Sequence, residues 1–153
     1  AFERTGVRFY DALASKYEAY GGFDGGPSLD HIQHIWNEEF QHFKLLRECI
    51  EQLGGDSTAV TPAADIQATA GMGIGQVLTD PRTNLVQCLD AILVAELADN
   101  ASWEALTILA QQAGQSDMAQ QFEKAQQSEQ EHVQMVKTWL SAAASVPGKR
   151  MAA

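Results

Sequence analysis

Apolar side chains recur along this chain in steps of four and three residues, the spacing of one face of an α-helix. The clearest stripe runs Ile32, Trp36, Phe43, Leu46, Ile50 and Leu53. A second runs Leu85, Leu89, Ile92, Trp103 and Leu106, and a third Phe122, Ala125, Val133, Val136 and Leu140. Near the start, Gly6, Tyr10, Leu13 and Tyr17 share a face. No stretch shows the two-residue alternation of a half-buried strand, so the chain reads as all-α. Breaks fall at Gly21-Gly22, Gly25-Gly26-Pro27, Gly54-Gly55-Asp56, Thr79-Asp80-Pro81 and Gly114. They predict α1 over residues 1–20 and α2 from an N-cap at Ser28 to Leu53. A shorter α3 opens with Thr61 and Pro62 and reaches Leu78. Next come α4, opened by Asp80 as cap with Pro81 in the first turn and ending near Gly114, and α5, from a cap at Ser116 to Ala142.

The predicted α2, α4 and α5 are long, roughly 38–50 Å at 1.5 Å per residue. Short α1–α2 and α4–α5 connections make antiparallel pairs. The α2–α4 connection holds α3 and is long enough to cross the bundle, so α2 and α4 run parallel. The expected architecture is a four-helix bundle over residues 1–142, followed by a flexible tail over 143–153 that includes Ser145-Val146-Pro147-Gly148-Lys149-Arg150. The exposed Met72, Ile74, Val77 and Leu78 of α3 are expected to cover the bundle or to form the contact of a homodimer. Gly71-Met72-Gly73-Ile74-Gly75 follows no strand, so it reads as a bent or mobile crossover rather than a nucleotide loop.

Each inner stripe is interrupted by an acid. Glu3 falls on the α1 face, Glu39 on α2, Glu96 on α4 and Glu129 on α5. His42 and His132 follow one turn after Glu39 and Glu129, and Asp99 one turn after Glu96. Ionised carboxylates in a dry core cost several kcal/mol each unless paired, and no lysine or arginine lies on these stripes near them. Two divalent cations would cancel four glutamate charges, with neutral imidazoles as further donors. Glu-x-x-His places both side chains on one helix face. With eleven glutamates and four histidines in 153 residues, roughly 0.3 such motifs are expected by chance, and two occur. Mixed carboxylate and imidazole ligands suit iron or manganese.

An internal repeat points the same way. Tyr10-Asp11-Ala12-Leu13 starts seven residues after Glu3, and Trp103-Glu104-Ala105-Leu106 seven residues after Glu96. The pairs α1–α2 and α4–α5 read as two copies of one helical hairpin. Tyr10 and Trp103 are then candidates to hydrogen-bond a ligand carboxylate, or are ordinary aromatic core.

A net charge of −10 argues against nucleic acid and anionic membranes as partners and suits cations. No apolar run approaches the roughly 18 residues of a membrane span. Two cysteines, Cys49 and Cys88, form no C-x-x-C, fall at opposite ends of the parallel α2 and α4, and indicate a reducing cytoplasm. His31 and His34 lie off the Glu39 face and read as solvated. Glu38 and Glu131 read as surface acids or supports behind the ligands.

With a Glu on α1, Glu-x-x-His on α2, a Glu on α4 and Glu-x-x-His on α5, residues 1–142 resemble the ferritin-like di-iron carboxylate proteins. Glu3 followed by Tyr10, and the pair Glu96-x-x-Asp99, look most like rubrerythrin-like members. The resemblance implies a ferritin-like four-helix bundle holding two Fe ions, or Mn, on Glu3, Glu39, His42, Glu96, Glu129 and His132. Tyr10, Asp99 and Trp103 would assist, with Asp99 an optional seventh ligand. It implies oxidation of Fe(II) by O2 or hydrogen peroxide, as in rubrerythrin-like peroxide reduction. A ferroxidase that handles iron is the alternative, and so is a helical scaffold with an empty or structural metal site. Rubrerythrins carry an iron module on four cysteines; two cysteines cannot form it, so the electron donor would be a separate protein. Phe40 stands where bacterioferritins place a haem-ligating Met, which implies no haem. The family's first helix extends further upstream than Glu3 allows here, so α1 reads as truncated at its N-terminus.

Overall fold

The computed structural model describes residues 2–145. Five helices follow one another: α1 Phe2–Tyr20, α2 Leu29–Gln52, α3 Pro62–Thr79, α4 Leu85–Gln112 and α5 Ser116–Ser145. The all-α bundle expected from the apolar stripes is the observed architecture. Helix α1 packs beside α2 and α4, and α5 beside α4 and α2. Helix α3 lies outside, against α1 and α4. Along α1, Glu3 stands near Asp99, Tyr10 bonds Glu96 and Lys16 reaches Thr83. Helices α1 and α4 are therefore antiparallel, and α2 runs parallel to α4.

The termini show why the helices sit where they do. Ser28 accepts the His31 N–H, and His31 Nδ1 accepts the Ser28 N–H, which closes a reciprocal cap on α2. Thr61 accepts from Ala64 at the start of α3, with Pro62 in its first turn. At the end of α2 the Gly55 N–H bonds Ile50 and the Gly54 N–H bonds Glu51. That closure needs the positive φ of 78° that Gly54 supplies.

Two expected boundaries move. Helix α4 starts at Leu85 rather than at Pro81, because Asn84 and Gln87 form the capping pair. Asp80 instead closes α3 and takes the backbone N–H and guanidinium of Arg82. Buried Lys16 donates to the carbonyls of Asp80 and Thr83, which holds this turn against α1. Ser116 is the first residue of α5 rather than its cap; the Ala119 N–H bonds the Gln115 carbonyl. The helix runs three residues past Ala142 to Ser145. The rest of the expected tail, 146–153, lies outside the described residues.

Helix α3 is continuous through its glycines. Gly71 and Gly75 lie against Phe9 of α1. Leu78 is buried and Ile74 packs on the core, so this part of α3 covers the bundle. None of the helices among the described residues is long and apolar enough to cross a membrane.

The core divides into two apolar clusters. One gathers Phe9, Leu13, Ile32, Ile35, Leu78, Leu89, Ile92 and Val136 with their neighbours. The other gathers Cys49, Trp103, Ala110, Met118, Phe122 and Ala125. Cys88 belongs to the first and Cys49 to the second, and both thiols are free. The expected α2 stripe is rotated. Ile35, His42 and Cys49 face inward, whereas Ile50 and Leu53 are 41% and 62% exposed. A stripe with a strict seven-residue repeat drifts by about 20° per heptad on a straight helix, so its far end turns into solvent.

Candidate metal centre

Between the apolar clusters lies a buried polar layer, with residues from all four bundle helices. Glu3, Glu39, His42, Glu96, Asp99, Glu129 and His132 are each 7% exposed or less. Ligand-type atoms of Glu3, Glu39, His42 and Glu129 lie within 4.8 Å of one another, as do those of Glu39, Glu96, Glu129 and His132. Glu39 and Glu129 belong to both groups. Each group adds one glutamate and one histidine of its own, so the two groups repeat one donor set.

His42 Nδ1 stands 2.7 Å from Glu129 Oε1 and 3.9 Å from Glu3 Oε2. His132 Nδ1 stands 3.3 Å from Glu129 Oε2 and 3.6 Å from both Glu39 Oε1 and Glu96 Oε2. Yet Glu3 Oε2, His42 Nδ1, Glu96 Oε2, both Glu129 oxygens and His132 Nδ1 are buried without a hydrogen-bond partner. Buried polar atoms are almost always satisfied. Six orphaned ligand-type atoms converging on one layer fit a metal site. The only buried lysine or arginine among the described residues, Lys16, is engaged elsewhere.

The electrostatics record the same shortage of positive charge. Burial, then the surrounding carboxylates, push Glu3 and Asp99 well above the ordinary carboxylate range. Burial lifts Glu39 to about 8 and also raises Glu96. Burial would raise Glu129 too, but the two imidazoles beside it outweigh that and hold it low. For His132, burial favours the neutral ring, and the carboxylates on Glu129, Glu39 and Glu96 reverse that and raise it.

The supporting residues differ in how far expectation holds. Tyr10 donates to Glu96 Oε1 at 2.5 Å, as the repeat predicts, and burial raises its own hydroxyl. Trp103, its counterpart in the repeat, stands at Glu3 as Tyr10 stands at Glu96 and opposes the rise of that carboxyl, although its Nε1 meets no partner in good hydrogen-bond geometry. Its ring packs edge-on against His42, with centroids 5.3 Å apart, and against Phe122. Asp99 is buried beside Glu3 but belongs to neither four-residue group; its side chain is one methylene shorter than a glutamate's. His31 caps α2 and packs on Trp139, and His34 is exposed.

The sequence assigns no role to Gly6 and leaves Glu38 as either a surface acid or a support behind the ligands. Gly6 faces Glu39 so closely that a Cβ there would lie 2.1 Å from Glu39 Oε2. Its signal in the sequence is a mid-helix glycine on the inner face between Glu3 and Tyr10. Glu38, read only as surface or support, places Oε2 2.9 Å from His132 Nε2 and 3.3 Å from His34 Nε2. With Nε2–H donating to Glu38, loss of the Nδ1 proton leaves a lone pair aimed at Glu39, Glu96 and Glu129. Glu38→Gln is expected to weaken metal binding roughly 10–100-fold while leaving the fold intact. Anaerobic Co(II) titration followed by visible absorption, alongside circular dichroism, checks both halves of that statement.

A helical bundle with carboxylates and imidazoles from four helices enclosed between apolar clusters defines a class of metal-site proteins. The family model of the ferritin-like domain matches residues 26–146, and the chain belongs to that family. The match begins after α1, so Glu3, Gly6 and Tyr10 lie outside it. No curated protein and no solved structure gives a significant match.

Proposed function

We propose that the chain is a di-iron oxidoreductase that reduces hydrogen peroxide or O2, in the manner of rubrerythrin-like proteins. The observation that carries this reading is the pair of four-residue groups sharing Glu39 and Glu129. Glu3 and His42 would complete one iron position, and Glu96 and His132 the other; the same donors accommodate manganese. Two iron ions supply two one-electron steps, the number needed to convert hydrogen peroxide and two protons into two waters. The electrons would come from a separate electron-donor protein.

The chain's own residues set the conditions for this chemistry. Tyr10 holds Glu96 through its hydroxyl, and Glu38 orients His132. Asp99, held well above its ordinary range by burial and then by the surrounding carboxylates, stands beside Glu3. The apolar clusters on either side keep bulk water away from the layer. A surface dimple of about 270 Å³, lined by Gln41, His42, Lys124 and Ser128 among others, brings solvent to the outer edge of His42. That edge is the place for small reactants to approach. The free thiols of Cys49 and Cys88 suit a reducing cytoplasm.

Glu129 is the residue to test, because it is shared by both groups and touches both imidazoles. Wild-type protein loaded anaerobically with Fe(II) should retain close to two irons per chain after desalting and consume hydrogen peroxide. Glu129→Ala should lose both properties. An unchanged rate of Fe(II)-dependent peroxide consumption in Glu129→Ala would falsify the peroxidase reading. Oxidation of many irons per chain into a mineral would replace it with a ferroxidase. No retained metal, with no metal-induced rise in melting temperature, would leave a scaffold.

A further inference from the structure

The middle of helix α4 is apolar on its outward side as well as inward. Its inner face carries the layer and the core, yet Val94, Leu97, Ile108 and Leu109 are 59%, 48%, 47% and 59% exposed. Ala98, Ala101 and Ala105 are exposed on the same outward side. Val94, Ala98, Ala101, Ala105 and Ile108 follow one another in steps of four, three, four and three residues. That is the seam of a two-helix coiled coil. Between Asp90 and Glu104 no charged side chain of α4 reaches the surface, since Glu96 and Asp99 are buried. A chain with a net charge of −10 thus keeps a charge-free strip roughly 20 Å long, at 1.5 Å per residue. A helix apolar on all sides is normally buried on all sides.

We infer that the outward face of α4 is a homodimer interface, occupied by α4 of a second copy running antiparallel about a two-fold axis near Ala101. The face is self-complementary in that register. Val94 stands opposite the second copy's Ile108, Leu97 opposite Ala105, and Ala101 opposite itself. The alanines at the centre allow the helices to approach to about 8 Å, the close end of the usual range. No acid meets an acid: Asp90 falls opposite Gln112, and Glu104 opposite Ala98. A two-fold contact of one patch with itself is the commonest way for soluble chains to associate. The inference is independent of the metal chemistry, because the seam lies on the side of α4 facing away from Glu96 and Asp99.

The test is the mass in solution of the full chain, 16.6 kDa, by sedimentation equilibrium from micromolar to hundreds of micromolar concentration. Wild type is expected at twice that mass. Ala101→Glu sets two carboxylates against each other on the axis and is expected to halve the mass, with unchanged helical circular dichroism. In a second arm, Ala101→Cys under mild oxidation is expected to form a covalent dimer. Wild type should not, because Cys49 and Cys88 are buried. This arm does not depend on Ala101→Glu folding. A monomeric wild type overturns the inference, as does a dimer that survives Ala101→Glu or one whose Ala101→Cys form does not cross-link.

Discussion

Gly6→Ala leaves the bundle folded and removes most of its affinity for divalent metal. The added methyl would lie 2.1 Å from Glu39 Oε2 and 3.1 Å from Glu39 Cδ. Backbone cannot yield cheaply in the middle of α1, so the carboxylate swings away. Glu39 is shared by both four-residue groups, and moving it weakens both halves of the layer at once. The expected loss is at least the roughly 10–100-fold that follows from disturbing a residue behind a ligand. Stability of the metal-free protein moves the other way or not at all. Alanine is favoured over glycine by about 1 kcal/mol in a helix interior, and displacing a buried carboxylate relieves repulsion from Glu96 and Glu129. Co(II) titration and thermal melts with and without metal read the two effects separately. Unchanged metal uptake would show that Glu39 is not held in place by the space at Gly6.

The second large effect is a reversal in how stability responds to pH. Glu39 is lifted from 4.5 to about 8 in the folded chain by burial, and Glu3, Asp99 and Glu96 are raised too. Between the ordinary and the raised values the folded state binds more protons than the unfolded one, so stability falls as pH rises. For Glu39 alone the change from pH 4.5 to 8 is on the order of 5 kcal/mol. That is comparable with the whole stability of a small domain. His132, raised from 6.5, adds to the same trend: its contribution is full below 6.5 and declines above it. Glu129, lowered, acts oppositely, and its contribution fades as pH drops below 4.5. Metal-free protein is therefore most stable near pH 4.5 and weakens steadily toward pH 8. With metal bound the slope changes sign, because binding displaces those protons and tightens as pH rises. Urea denaturation between pH 5 and 8, with and without Mn(II), measures both slopes. A metal-free protein equally stable at pH 5 and pH 8 would contradict the account of an undercompensated acidic layer.

The acids and imidazoles of the layer were legible because they break apolar stripes, and a lone Glu in a core needs a reason. Two Glu-x-x-His motifs and the repeat brought the four helices together without any long-range information. What stayed hidden depends on neighbours across helices. The closeness of Gly6 to Glu39 exists only once α1 packs on α2, and the bond from His132 to Glu38 only once α5 packs on α2. The start of α4 was misplaced because Asp80-Pro81 and Asn84 with Gln87 are both acceptable helix openings. Lys16, from far along the chain, holds the Asp80 and Thr83 carbonyls in the turn and leaves the second to open the helix.

The division of the core into two clusters bears on how the layer assembles. The cluster around Trp103 and Phe122 draws on α2, α4 and α5 and contains no residue of α1. Of the two apolar clusters α1 joins only the other, with Phe2 and Glu3 side by side in its first turn. Local opening follows the weakest anchoring, so the end of α1 separates from the bundle at lower free energy than the other three helices. The group of Glu39, Glu96, Glu129 and His132 survives that opening, whereas the group that needs Glu3 does not. The two halves share the same donors in mirror image but not the same degree of preorganisation. A cation filling the second half therefore does part of its work in ordering a helix.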